Sequence, residues 1–204
     1  MDDLVKRVRD SFSKSAIPAQ ALLSKFKYLN TNLSERAFFY DPKYFPFYFH
    51  LGRHLESKSL LDMTLGVGIP TSCFLLGCKT VERVSAFHRQ ETEHYPIRLA
   101  KHNIRTVYKG PSSYWVGNID DLEFQKNLKA CEWDAVIISI PLSYDDCLSY
   151  LRLIWPSVSR GGLLIMDHVN YDKAMEQAFH DFARTNNRKT ETFDTKYGVG
   201  LIFK

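Results

Sequence analysis

Short apolar runs alternate with longer amphipathic stretches from residue 59 onward. This rhythm is typical of repeated strand and helix units around a parallel sheet. Seven strands are predicted, at 59–63, 83–87, 113–117, 134–140, 161–167, 189–194 and 198–204. Only a short turn separates the last two, so these two strands must be antiparallel. The pattern therefore predicts an α/β fold whose mostly parallel sheet ends in one hairpin.

Helical patterns fill the gaps between these strands. One helix begins near Pro70, where proline is tolerated because an N–H in the first turn has no helical partner. Apolar residues spaced three and four positions apart predict further helices at 90–105, 121–131, 144–158 and 172–185. Pro96 falls in or bends the first turns of its helix, and Pro156 breaks the helix at 144–158.

The first 58 residues precede the predicted sheet. They contain two predicted helices, 2–13 and 17–27, and an aromatic stretch at 38–56 with eight Phe and Tyr residues. Aromatic residues at this density usually pack a helix against the body of a domain, but they can also form a lid or an acceptor pocket. We expect a helical extension, 1–58, packed on a core domain, 59–204.

Composition excludes several classes of protein. The chain of 204 residues is 45% hydrophobic and 25% charged, which is ordinary for one compact globular domain. No apolar run is long enough to span a bilayer, and the charged start MDDLVKRVRD does not resemble a signal peptide. We therefore expect a cytoplasmic protein with no membrane partner. The net charge of +4 permits nucleic-acid binding without indicating it.

The four cysteines show no paired CxxC spacing. They are Cys73, Cys78, Cys131 and Cys147. Their apolar or helical surroundings favour reduced thiols in the core over a zinc site or a disulfide framework.

Two glycines follow the first predicted strand in the stretch LLDMTLGVGIP at 60–70. A strand that turns on Gly66 and Gly68 into a helix would bring bare backbone N–H groups to the strand end. This geometry suits a nucleotide-like ligand, although both glycines could instead serve only a tight turn.

The order of elements and the glycine turn together resemble the class I S-adenosylmethionine-dependent methyltransferases over 59–204. Residues 133–169 are most similar to the small-molecule and sugar O-methyltransferases, a group that includes the catechol-type enzymes; Ser143, Tyr144 and the pair Gly161-Gly162 match. The resemblance implies a Rossmann-like sheet of order 3-2-1-4-5-7-6 with helices on both faces. It also implies S-adenosylmethionine as cofactor and a small-molecule acceptor.

The resemblance places Asp62, Thr64, Gly66 and Gly68 around the methionine part of the cofactor. Thr64 stands where the family usually has its first glycine. A carboxylate such as that of Asp62 can pair with the α-amino group of S-adenosylmethionine, and glycine backbone can approach closely. Asp62 could instead only cap the turn that follows it.

The family has an acid that binds the ribose hydroxyls at the end of the second strand, but this chain has His88. The ribose hydroxyls could then be bound by the imidazole of His88 or by Glu91, or this contact could be absent. A histidine at a strand end can also have a purely structural role. After the third strand, Asn118 replaces the family's acid and could still bond the adenine edge.

Catechol-type enzymes bind magnesium through acids that end strands four and five. Ser139 replaces the first of these acids, and we expect it to contact the cofactor instead. The polar residues that remain around strand five are Asp167, His168 and Asn170. One carboxylate is a poor site for a hard cation, so no metal is expected. His168 is the candidate catalytic base because imidazole titrates near neutral pH, and Asp167 would orient it or act in its place. Both could instead only cap the loop.

These residues favour a metal-independent S-adenosylmethionine-dependent methyltransferase that acts on a small-molecule or sugar hydroxyl. The departures at Thr64, His88 and Ser139 favour the alternative of a methyltransferase fold that has lost catalysis and serves as a binding or scaffold protein. A nucleic-acid methyltransferase is a further alternative that rests only on the mild basicity.

Overall fold

The computed structural model describes residues 2–14, 21–22, 24–26, 43–89 and 97–204. Its helices are α1 (Asp2–Ser13), α2 (Tyr44–His54), α3 (Ile69–Gly77), α4 (Ile97–Val107), α5 (Leu122–Lys129), α6 (Tyr144–Ile154) and α7 (Lys173–Thr185). Its strands are β1 (Ser59–Asp62), β2 (Arg83–Arg89), β3 (Ser112–Gly117), β4 (Trp133–Ile138), β5 (Val158–Asp167), β6 (Thr190–Phe193) and β7 (Val199–Phe203). Most of the predicted helix at 17–27 lies outside the described residues, as do Glu91 and Pro96.

The described strands form one sheet of order β3-β2-β1-β4-β5-β7-β6, which confirms the predicted topology. All neighbouring strands are parallel except β7, which is antiparallel to β5 and β6. The predicted strand bounds differ from the observed ones by up to three residues. A 3₁₀ turn at Trp155–Ser157 follows α6, so β5 begins at Val158 rather than at residue 161. The second strand extends to Arg89 and therefore includes His88.

The chain divides into two compact units. One contains 59–64, 83–90 and 112–204, and hence the whole described sheet with α5, α6 and α7. The other contains 1–58, 65–82 and 91–111, with α1 to α4. The predicted boundary at residue 58 stays a prediction. No helix in the described part of the chain is long and apolar enough to cross a membrane.

One face of the sheet packs against α5, α6 and α7. The strand residues of this core are Leu61, Met63, Phe87, Val136, Ile138, Leu164 and Met166. Phe87 stacks on Phe124 of α5 with ring centroids 4.1 Å apart. Because side chains alternate along a strand, the intervening residues Asp62, His88 and Asp167 point to the opposite face.

The amino ends of three strands are joined by the carboxylate of Asp134. Its Oδ2 accepts a bond from the Ser59 N–H at 3.0 Å, and its Oδ1 accepts one from the Ser159 hydroxyl at 2.9 Å. The Asp134 N–H in turn donates to Ser59 Oγ at 2.9 Å. These bonds fix the starts of β1, β4 and β5 relative to one another.

The described part of the aromatic stretch contains α2, whose side chains are mostly buried within the helical unit. Phe47 and Tyr48 are fully buried, and Phe47 makes an edge contact with Phe12 of α1 at 5.9 Å. Ser11 of α1 also lies 2.6 Å from Nε2 of His54 on α2. Aromatic packing and one polar contact thus hold α1 against α2.

All four cysteines are free thiols, and three of them are buried, as predicted. Burial raises the pKa of Cys147 to about 12. The Cys147 thiol therefore stays protonated near neutral pH.

The helical unit is expected to lose stability below about pH 6.5. Burial is the largest cause that lowers the pKa of His50 and His54, and neighbouring Arg53 lowers both further. Their neutral forms are favoured in the fold, so the stabilisation is present above the ordinary histidine pKa of 6.5 and is lost as the pH falls below it. Urea unfolding at pH 5 should show a lower midpoint than at pH 7.5. The His50→Gln variant should reduce this difference, whereas His102→Gln, on the exposed face of α4, should not.

Candidate functional site

The predicted site residues of the central strands meet at the carboxyl edge of the sheet. Ile138 at the end of β4 lies opposite Met166 of β5, so Ser139 and Asp167, the residues that follow, lie side by side. Thr64, just beyond β1, bonds directly to Ser139. These three polar residues form one row across β1, β4 and β5.

The row continues onto β2 through His88. Asp62 at the end of β1 lies opposite Ala86, so His88, two residues further, is level with Thr64. His88 in turn lies opposite Val116 of β3, and Asn118 follows the end of that strand as an exposed residue. The sheet thus brings the cofactor-binding and catalytic residues predicted from five strand ends to one edge.

Thr64 and Ser139, two residues that depart from the family pattern, are hydrogen-bonded to each other. The Ser139 N–H donates to Thr64 Oγ1 at 2.7 Å, and the two hydroxyl oxygens are 3.0 Å apart. Thr64 is only 4% exposed. A glycine at position 64 could make neither contact, so the threonine and the serine act as a pair that joins the ends of β1 and β4.

Removing the Thr64 hydroxyl is expected to destabilise the fold by about 1–3 kcal/mol, because Thr64→Val leaves the Ser139 N–H without this acceptor. Urea denaturation measures the change. Thr106→Val is the matched control, since the exposed Thr106 hydroxyl bonds only a carbonyl of its own helix, and a change within about 0.5 kcal/mol is expected there. Equal losses in the two variants would contradict the bridge.

Asp62 is fully buried at the end of β1. Its Oδ1 accepts a bond from the Thr64 N–H at 2.9 Å, so it does cap the turn that follows. A carboxylate has about four acceptor positions, and this bond occupies one of them. The capping bond by itself does not exclude a second role toward a ligand.

The glycine turn has the left-handed backbone that favours glycine. Gly66 has φ 49° and Gly68 has φ 69°, and the Gly68 N–H donates to Leu65 O at 2.6 Å. A Cβ on Gly68 would lie 3.2 Å from the Cα of Ala100 on α4. Both glycines thus serve a tight turn. No described side chain caps the amino end of α3, which leaves its first N–H groups as candidates for an anionic or polar ligand.

His88 is 6% exposed, and burial lowers its pKa. The neutral imidazole is therefore its main form at neutral pH, with one nitrogen as donor and the other as acceptor. It lies inside β2 rather than just past the strand end as expected.

Asp167 and His168 form a buried pair at the end of β5. The His168 N–H donates to Asp167 Oδ1 at 2.7 Å, and the imidazole Nδ1 lies 3.2 Å from Oδ2. His168 has φ 64°, a left-handed conformation that costs energy for a residue other than glycine. Strained backbone of this kind is often found at functional sites, and here a carboxylate lies beside the imidazole.

Two tyrosines that the sequence analysis missed enclose the imidazole. The Tyr197 ring stacks on His168 at 5.4 Å and 13°, and Tyr171 meets it edge-on at 5.9 Å. His168 is 2% exposed, whereas Tyr171 is 52% exposed. The Asn170 N–H donates to Tyr197 O at 2.8 Å, which holds the loop after β5 against the hairpin turn.

Tyr144, which matched a family motif, lies on the helix-covered side of the sheet. Its hydroxyl donates to Asp181 Oδ2 on α7 at 3.0 Å. Ser143, the other half of this motif, accepts a bond from the Asp146 N–H at 3.2 Å and so caps α6. The motif thus has a structural explanation in this chain.

No family model matches the sequence, and no curated protein is similar to it in sequence. Solved structures are similar in fold. The O-methyltransferase of Bacillus cereus in complex with S-adenosylhomocysteine is 13% identical and matches with a TM-score of 0.66 over 98% of this chain and 100% of its own. The O-methyltransferase TomG of Streptomyces achromogenes, which is involved in tomaymycin synthesis and was solved with S-adenosylmethionine, is 12% identical, with a TM-score of 0.64 over 98% and 95%.

A methyltransferase of Podospora anserina bound to S-adenosylhomocysteine is 14% identical and matches with a TM-score of 0.58 over 100% of this chain and 88% of its own. At these identities the likeness concerns the fold. The chain has the Rossmann-like fold of the class I S-adenosylmethionine-dependent O-methyltransferases.

Proposed function

We propose that the chain is an S-adenosylmethionine-dependent methyltransferase that acts on a hydroxyl of a small molecule or sugar. The single observation that carries this proposal is the Asp167 and His168 pair, held at the carboxyl edge of the sheet in the row with Thr64 and Ser139. Ligands of α/β sheets bind at this edge. The similar folds solved with the same cofactor support the reaction class.

Bound S-adenosylmethionine supplies a methyl group on a sulfonium. The proposed binding residues are Asp62, Thr64, Gly66, Gly68, His88, Glu91, Asn118 and Ser139. Asp62 would pair with the α-amino group, because its buried carboxylate lies at the carboxyl end of β1 and an ammonium group can donate to it. His88 would bond the ribose hydroxyls as a neutral imidazole, and Asn118 the adenine edge.

His168 is the proposed base. In the tautomer with the proton on Nδ1, which lies 3.2 Å from Asp167 Oδ2, Nε2 is the acceptor, and the proton of the substrate hydroxyl would pass to this nitrogen. The Asp167 carboxylate would stabilise the imidazolium that forms, as in other Asp and His pairs. Tyr171, more than half exposed beside a buried imidazole, would have to turn aside to admit the substrate.

The magnesium ion of catechol-type enzymes does not fit these residues. Asp167 directs both oxygens at His168, and the Ser139 hydroxyl lies against Thr64. Within the described ranges no three His, Cys, Asp or Glu side chains are placed to hold a metal. A hard cation prefers several oxygen ligands, so we propose transfer without a metal.

The second candidate function is a methyltransferase fold that binds a partner without catalysis. The Thr64 and Ser139 bridge favours it, because two side chains occupy positions where the family has a glycine and a metal-binding acid. This candidate predicts no affinity for the cofactor.

Calorimetric titration with S-adenosylmethionine and, separately, S-adenosylhomocysteine decides between the two. The protein at neutral pH with EDTA is expected to bind both with Kd values in the micromolar range. Absence of binding up to millimolar ligand would reject the enzyme and favour the scaffold. Binding that requires added Mg²⁺ would reject the metal-independent site.

A further inference from the structure

A groove runs between α6 and α7, on the face of the sheet that the candidate site does not use. Tyr144, Leu148 and Arg152 line it from successive turns of α6, and Asp181 and Arg184 line it from α7. The groove has a volume of about 510 Å³. Small-ligand sites typically have volumes of about 300–1,000 Å³, so a molecule of sugar size would fit.

The acidic group of the groove is already engaged. Asp181 Oδ2 accepts the bond from Tyr144 at 3.0 Å, and its Oδ1 accepts one from Arg184 at 2.8 Å. The hydrogen bond to Asp181 is the largest cause that raises the pKa of Tyr144; Asp145 also raises it, and Arg152 lowers it. Arg152 makes no ion pair with any described residue. One guanidinium at the groove is therefore available for an anion.

More positive charge lies near Trp155, a residue of the groove lining. The Arg188 guanidinium and the Lys204 ammonium lie 5.8 and 5.5 Å from the centre of this ring. Lys204 also donates to Trp155 O at 2.8 Å, which fixes its position. Burial lowers the pKa of Lys204, the Glu132 carboxylate opposes this change, and Arg188 adds to it. An anion here would relieve the repulsion between the two cations.

We propose that the α6–α7 groove is a binding site for a small phosphate ester. Arg152 would donate two hydrogen bonds to the phosphate, because the planar guanidinium can bond two phosphate oxygens at once. Arg184, 82% exposed, can turn from Asp181 to the same phosphate, and Arg188 and Lys204 add attraction. This site is separate from the proposed methyl-transfer site, whose residues point to the opposite face of the sheet.

Calorimetric titration with ribose 5-phosphate tests the site, with ribose as the uncharged probe. We expect a Kd in the micromolar range for ribose 5-phosphate and no binding of ribose. Arg152→Ala should weaken binding about tenfold or more. Asp181→Asn should tighten it several-fold, because this change removes a negative charge and releases Arg184. Saturating S-adenosylhomocysteine should not change the Kd.

Arg160→Ala is the matched control, since it removes the same charge from an exposed position on β5 outside the groove. An equal loss in Arg160→Ala and Arg152→Ala would mean non-specific attraction and would overturn the proposal. Absence of ribose 5-phosphate binding up to millimolar concentration would overturn it as well. Arg152-dependent binding of a DNA duplex without binding of the sugar phosphate would also overturn it, in favour of a nucleic-acid surface.

Discussion

Replacing His168 with asparagine is expected to lower kcat for methyl transfer by about 10²–10⁴-fold, the usual contribution of a general base. Asparagine tolerates the left-handed backbone that His168 adopts with φ 64°, so the loop after β5 should keep its conformation. Its amide cannot accept a proton. The affinity for S-adenosylhomocysteine, measured by calorimetry, should stay unchanged because His168 is not assigned to the cofactor.

The matched control is His180→Asn, an exposed histidine on α7, for which kcat should equal that of the unmodified protein. An unchanged kcat in His168→Asn would show that another group removes the proton. A parallel loss of cofactor affinity would instead show that the substitution disturbs the edge of the sheet, and a circular-dichroism melt would confirm that disturbance.

Replacing Asp62 with asparagine is expected to raise the Kd for S-adenosylmethionine by more than tenfold, which corresponds to about 1.4 kcal/mol. The amide oxygen can still accept the N–H of Thr64, now bonded at 2.9 Å, so the turn is kept. The negative charge that would pair with the α-amino group is lost. Calorimetry with the purified variant measures the effect.

Asp172→Asn makes the same chemical change at the first residue before α7, where Asp172 Oδ1 accepts a bond from the Met175 N–H at 2.8 Å. Asparagine is an equally good cap, so cofactor affinity should not change. If Asp62→Asn bound the cofactor as tightly as this control, the carboxylate would have only its capping role and the ligand would be held elsewhere.

The sheet could be predicted because its strands are short apolar runs at regular spacing. The strand bounds were harder. Val158 to Arg160 begin β5 with two polar residues, so the apolar pattern pointed only to the second half of this strand. His88 was placed past the end of β2 for the same reason, since a polar residue inside a strand does not match an apolar run.

Sequence patterns could not predict the polar contacts of the site. Thr64 and Ser139 are 75 positions apart, and their pairing depends on β1 and β4 being neighbours. Tyr197 reaches His168 only because β7 returns antiparallel beside β5, with Val199 opposite Asp167. Residue types and spacing indicate which side chains can do chemistry, but strand order decides which of them meet.

The bonds at both ends of β1 and β4 also bear on how the chain folds. Ser59 and Asp134 join the two strands at their starts, and Thr64 and Ser139 join them at their ends. A slip of one residue between the strands would break both sets of bonds at once and would turn every side chain of one strand to the wrong face. Misaligned sheets would therefore lack polar bonds at two distant points, and this penalty should help select the alignment that places Asp62 on the face opposite α5, α6 and α7.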